Sequence, residues 1–329
     1  MPLTLALHDR RIPSVTAVKT VSVIVCAFAE RRWPDLLAAV DSLRAQSCPV
    51  DDVVVVIDHN PALLERATRE LPGARAVANR HTRGLSGARN TGIETATGDI
   101  LAFLDDDAVA ERDWLEALLA RYRDPRVIAV GGAVLPRWDD GRPRGFPEEF
   151  DWVVGCSYRG MPVAAGAVRN PIGASMSFRR EVFEAVGGFA DGIGRVGGRP
   201  VGCEETELCI RAGKTLGDVR IVYEPGARVH HRVPAARASW RYFASRCFNE
   251  GISKALVAQR TGVSRGLSAE RSYTLRTLPR AVARGLADGL AGEPAGLVRA
   301  VAVVVGLALT TFGFVTASAQ RRLTARSPG

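Results

Sequence analysis

The sequence predicts an α/β fold around a buried, mostly parallel sheet, on three observations. Residues 21–26, 53–57 and 100–104 are short apolar runs without alternating polar positions, the pattern of strands covered on both faces. Segments with helical spacing lie between them, as strand-helix-strand crossovers require. Acidic residues follow two of the runs directly, at Asp58 and Asp105, and ligands in such sheets bind beyond the carboxyl ends of the strands. At 329 residues the chain can bury a large core, and its 47% apolar content excludes a disordered class.

Taken in order, the first strand is 21–26. A helix over 34–45 follows, with Leu36, Leu37, Val40 and Leu43 on one face and Pro34 near its first turn. After the second strand, Arg83-Gly84-Leu85-Ser86-Gly87-Ala88-Arg89-Asn90 reads as a glycine turn running into a helix over 87–95. Its backbone amides, helix N-terminus and Arg89 suit a phosphate, although the same residues also read as an ordinary turn. The pattern is neither Gly-x-Gly-x-x-Gly nor a P-loop, which disfavours two nucleotide-binding classes.

The third strand ends abruptly in Asp105, Asp106 and Asp107. Unpaired carboxylates are too costly to bury, so the three must be solvated, paired or metal-bound. Hard oxygen ligands select Mg²⁺ or Mn²⁺. Side chains alternate along an extended backbone, so Asp105 and Asp107 point one way and Asp106 another. Glu111 and Asp113 continue the negative charge toward a following helix, so an acidic cap is the competing reading.

The six cysteines are scattered without Cys-x-x-Cys spacing, which disfavours a structural zinc or a disulfide framework and suits a reducing compartment. Residues 1–20 hold no signal-peptide core, so the N-terminus is expected in the cytosol. The net charge of +9 is local. From Arg237 onward there are 14 Lys and Arg against 4 Asp and Glu, a surplus of 10, which leaves the rest near −1. This region carries no nucleic-acid-binding signature, so an anionic membrane surface, and no nucleic acid, is the expected partner; a solvated basic helix is the alternative. Arg276, Arg280 and Arg284 recur at intervals of four on one helical face. Residues 300–319 contain no charge and as a helix would extend about 30 Å, enough to span a bilayer or to form a surface-lying or buried hairpin.

Five segments in this order resemble family 2 glycosyltransferases of the GT-A fold. They are Val21-Ser22-Val23-Ile24-Val25-Cys26-Ala27-Phe28, Gly84-Leu85-Ser86-Gly87-Ala88-Arg89-Asn90-Thr91-Gly92, Phe103-Leu104-Asp105-Asp106-Asp107, Glu204-Glu205-Thr206-Glu207-Leu208-Cys209-Ile210-Arg211 and Tyr223-Glu224-Pro225-Gly226-Ala227-Arg228-Val229-His230-His231. The resemblance covers roughly residues 20–235. It implies a Rossmann-like mixed sheet flanked by helices, and inverting transfer of a sugar from a nucleotide diphosphate donor, a UDP-sugar first, to a hydroxyl on a lipid, glycan or small molecule. By the same resemblance Asp105, Asp107 and a late histidine, His231 before His230, would hold Mn²⁺ or Mg²⁺. Cys26, Phe28, Glu30, Asp58 and Asp106 would line the donor pocket, and Arg89 and Asn90 would sit near uracil and phosphate.

The family's base is the aspartate of a Glu-Asp pair, and here that position is Glu205, one methylene longer. Glu204 and Glu207 are the neighbouring substitutes, and clustered carboxylates raise one pKa as a base requires. A Glu-rich helix start with a Glu207–Arg211 ion pair is the bland alternative. Asp58 is followed by His59-Asn60-Pro61, where the family continues with an acidic or small polar residue. Residues 170–178 resemble the strand beside the donor sugar, Gly187-Gly188-Phe189 a helix cap, and 192–202 a mobile loop. The expected division is an N-terminal extension over 1–18, a catalytic domain over 19–235 at the cytoplasmic face of the membrane, and a basic helical region over 236–329. Two rivals stand beside it: a membrane-associated scaffold with a degenerate transferase fold, favoured by Glu205, and a nucleotidyltransferase, disfavoured because residues 21–30 lack a Gly-x-Gly-x-Arg segment.

Overall fold

The computed structural model describes residues 20–190, 202–261 and 270–324. The expected extension over 1–18 and, apart from Gly202, the glycine-rich stretch 192–202 lie outside them. The strands are β1 (Val21–Ala27), β2 (Asp52–Ile57), β3 (Arg75–Ala78), β4 (Ile100–Asp105), β5 (Ala108–Ala110), β6 (Val127–Trp138), β7 (Gly166–Ala167), β8 (Ser175–Arg179) and β9 (Arg220–Val233). The helices are α1 (Trp33–Arg44), α2 (Pro61–Glu70), α3 (Leu85–Thr95), α4 (Trp114–Ala120), α5 (Arg180–Val186), α6 (Glu204–Leu216), α7 (Trp240–Thr261), α8 (Leu278–Leu290) and α9 (Pro294–Thr324).

The strands form one sheet in the order β3-β2-β1-β4-β8-β6-β9-β5, with β7 against β9. The first four are parallel. β8 then runs antiparallel to β4 and β6, whereas β6 and β9 are parallel to one another. The sheet is therefore mixed, as the family resemblance implies. The apolar runs supply both of its faces, because alternate residues point opposite ways. Val23 and Val25 enter one core with Leu36, Val40 and Leu43 of α1, while Ile24 enters the other with Phe103, Phe178 and Phe189. Phe103 meets Phe178 and Phe189 edge-on at 6.3 and 5.7 Å between centroids, the geometry that aromatic quadrupoles favour.

Two helix starts bear on the site. Asn60 caps α2 by accepting from the Leu63 amide at 3.1 Å, with Pro61 in the first turn. α3 begins after Gly84, whose φ of 129° is one that side-chain-bearing residues rarely adopt. α5 closes on Gly187 at φ 78°, the expected cap.

Beyond β9 the chain becomes helical. α7 and α9 approach so closely that a Cβ on Gly251 would lie 2.0 Å from the Thr310 carbonyl oxygen, and one on Gly313 2.1 Å from that of Phe248. α8 folds back on α9 as a hairpin, with Gly285 and Gly296 in contact. The segment Pro294–Gln320 is long and apolar enough to cross a membrane, yet one of its faces is packed on α7 and α8. The other face exposes Val301, Val304, Val305, Phe312 and Val315. Arg276, Arg280 and Arg284 are exposed, with Arg284 paired to buried Glu149. Arg237 and Arg246, counted with the basic surface by sequence, instead point inward to carboxylates.

Candidate active site

The metal candidates meet where β4 gives way to β5. β5 pairs with β9 so that Ala108 faces His231, and the Arg232 amide donates to the Asp107 carbonyl at 2.8 Å. This register draws ligand atoms of Asp105, Asp107 and His231 within 4.8 Å of one another. Two carboxylates and an imidazole fit a hard-to-borderline divalent ion such as Mn²⁺ or Mg²⁺. His231 is 3% exposed and its Nε2 lies 3.1 Å from Asp107. His230 projects to the other face of β9 and pairs with Glu111 at 2.8 Å.

Cations that the sequence did not mark as site residues surround this cluster. Arg32 reaches Asp106 at 2.8 Å and Asp107 at 3.2 Å, and Arg237 reaches Asp107 at 3.7 Å. Burial works against ionising Asp107, yet His231, Arg32 and Arg237 hold its carboxyl well below the usual range. Asp106, buried beside Asp107, is pushed up to about 7 despite Arg32. The only sequence signal for these arginines was that three adjacent carboxylates need counter-charge.

Arg89 ties this cluster to the glutamates. It is 2% exposed, donates to Glu204 at 2.7 Å and to the Gly173 carbonyl at 3.2 Å, and lies 3.6 Å from Asp105. The residue that the family resemblance sets near uracil and phosphate thus pairs with protein carboxylates at the cavity wall. Asn90 is likewise engaged, clamping the Phe189 backbone through two hydrogen bonds of 2.9 and 2.8 Å.

The glutamates open α6 after Cys203, a non-glycine residue at φ 76°. Burial, then the neighbouring Glu204, raises Glu205 to about 8. Glu207 makes a bidentate pair with Arg211 at 3.0 and 2.8 Å, so here the bland alternative describes the structure. Glu204 and Glu205 line a cavity of about 1020 Å³ together with Arg89 and Asp105.

On the donor side, Phe28 is 44% exposed at the end of β1, and its carbonyl accepts from Asn60 at 3.0 Å. Glu30 lies in the following short turn, 3.5 Å from the Asn60 amide. Asp58 accepts from Asn79 at 2.6 Å and from the Gly84 amide at 3.0 Å, which fixes the turn into α3. His59, 2.9 Å from Asp58, has φ 51°. Cys26 sits opposite Asp105 in the β1–β4 register, and burial pushes its thiol up to about 12, so it offers packing rather than thiolate chemistry.

Residues 22–187 match the family model described as glycosyl transferase family 2. The chain is 38% identical over 241 residues to the glucosyl-dolichyl phosphate glucuronosyltransferase of Haloferax volcanii, covering 72% of this chain and 77% of that protein. It is 31% identical over 241 residues to the succinoglycan biosynthesis protein ExoM of Rhizobium meliloti, covering 70% and 72%. The mannosyltransferase PcManGT from Pyrobaculum calidifontis, solved in complex with GDP-Man and Mn²⁺, has the same fold, with TM-score 0.56 at 22% identity over 97% of this chain and 91% of that one. With the matching family model, the relatives and the acidic site together, the chain belongs to glycosyltransferase family 2 and is a glycosyltransferase of GT-A fold.

Proposed function

We infer that this chain transfers a sugar, with inversion, from a nucleotide diphosphate donor, a UDP-sugar first, to a hydroxyl of a lipid-linked acceptor. The observation that carries the reading is the joining of two carboxylate groups through one buried arginine: Asp105 on one side of Arg89 and Glu204 on the other. Asp105, Asp107 and His231 would hold Mn²⁺ or Mg²⁺, which offsets charge on the departing nucleotide. Phe28, Glu30 and Asp58 border the base and ribose side. Glu205 faces the cavity with a raised pKa, which suits a group that must accept the acceptor's proton as its oxygen attacks the anomeric carbon.

The lipid acceptor and a place at a membrane draw support from the exposed apolar face of α9 and from the Haloferax relative, named for a dolichyl phosphate-linked glucose; the cytoplasmic face is assigned because nucleotide-sugar donors are cytosolic. The catalytic part is assigned to 19–235 and the membrane-facing part to 236–329.

The test is release of nucleoside diphosphate from a panel of UDP-, GDP- and dTDP-sugars with a synthetic isoprenyl phosphate glucoside as acceptor. The reading expects acceptor-dependent release from one donor, lost on chelation. No release from any donor by folded, metal-supplied protein, or release indifferent to chelation, overturns it.

A further inference from the structure

The cavity does not end at the catalytic carboxylates. It continues past Cys203 to α7, where Arg246, Glu250 and Lys254 line its wall. Their spacing of four places them on one helical face. Arg246 Nη2 lies 3.2 Å and Lys254 Nζ 3.5 Å from Glu250, and Cys203 Sγ lies 3.7 Å from the same carboxylate. Arg169 adds a further cation to the lining. Leu278 and, on α9, Leu307 and Phe314 add apolar surface to the lining, beside Thr310 and Thr311.

The lining therefore brings together the Glu204 and Glu205 carboxylates with Arg89, the Arg246–Glu250–Lys254 row of α7, and apolar side chains of α9. Leu307 and Phe314 lie on the inner side of the helix whose outer side exposes Val301, Val304, Val305 and Phe312. The helix that lends the cavity Leu307 and Phe314 thus also carries, on its opposite side, a row of exposed apolar residues. A soluble sugar phosphate would use the cations and leave the apolar lining unexplained, while a neutral lipid would use that lining and leave the cations unexplained.

We propose that Arg246 and Lys254 form a subsite for the phosphate of a lipid phosphate acceptor, whose hydrocarbon chain leaves between Leu278, Leu307 and Phe314 and whose sugar hydroxyl reaches Glu205. Glu250 holds the two cations in register and keeps the subsite selective for a group with stronger charge than its own. This deepens the transferase reading and rests on it.

The assay measures equilibrium binding by calorimetry to the full-length protein in neutral detergent, without sugar donor, using farnesyl phosphate, farnesol and inorganic phosphate as probes. Farnesyl phosphate is expected to bind saturably and at least about tenfold more tightly than either fragment, the scale of one charge-assisted contact. Lys254→Gln weakens it about tenfold, and Lys254→Arg restores it. Equal binding of farnesol, equal binding of inorganic phosphate, or unchanged affinity in folded Lys254→Gln overturns the proposal. Donor binding to the same preparations is titrated separately, so a failed transferase reading, with no donor bound, is distinguishable from a failed phosphate subsite.

Discussion

Asp107, buried, and Glu205, half-buried at the start of α6, are carboxylates of one candidate site, yet their surroundings tune them in opposite directions. Asp107 is ringed by His231, Arg32 and Arg237, which overcome burial and keep it charged. Glu205 has burial and Glu204 against its charge, with Arg89 too committed elsewhere to compensate, and rises to about 8. Residue type does not separate a carboxylate held charged from the one proposed as proton acceptor; the number and direction of neighbouring cations do.

The most damaging way to break this contrast is Asp107→Ala. Removing one of three candidate ligands is expected to abolish metal-dependent donor binding, and with it transfer, in calorimetric and turnover assays. Glu205→Gln comes next: donor affinity stays at the wild-type value while transfer falls about 10²–10⁴-fold. Normal turnover by that variant would remove Glu205 from the role of base.

The pH profile sharpens the same point without mutation. A base must be deprotonated to act, so kcat should rise roughly tenfold per pH unit on the acid side and level off above about 8. A profile flat through that range would contradict the raised Glu205. The mildest change is Glu207→Gln on the same helix. Its bidentate pair with Arg211 is structural, so stability drops by about 1–3 kcal/mol in denaturant titration while kcat is unaffected.

How much was legible in sequence follows the same division. The parallel strands and their acidic ends were readable because β-branched runs that must be buried on both faces leave a strong local pattern; β1, β2 and β4 extend the expected 21–26, 53–57 and 100–104 by only one residue each. The mixed half of the sheet came only through the family resemblance, because the partners of β8 are set by tertiary pairing across 45 to 79 residues and no local period encodes them. His231 could be preferred over His230 in sequence, but alternation alone says only that one of them points away. Arg237 and Arg246 looked like surface charge, since composition carries no information on which way a long side chain turns. Asn90 was set near uracil and phosphate by the family resemblance alone; its two hydrogen bonds to Phe189 join α3 to the turn after α5 across 99 residues, a pairing no local pattern encodes.

The central claim, a donor site that depends on a divalent ion held by Asp105, Asp107 and His231, is tested most directly by calorimetric titration of the purified chain with UDP-, GDP- and dTDP-sugars, with and without Mn²⁺. The account predicts binding of one donor only when the ion is present, lost in Asp107→Ala and kept in Glu205→Gln. Donor binding that ignores the ion, or survives Asp107→Ala unchanged, would contradict it.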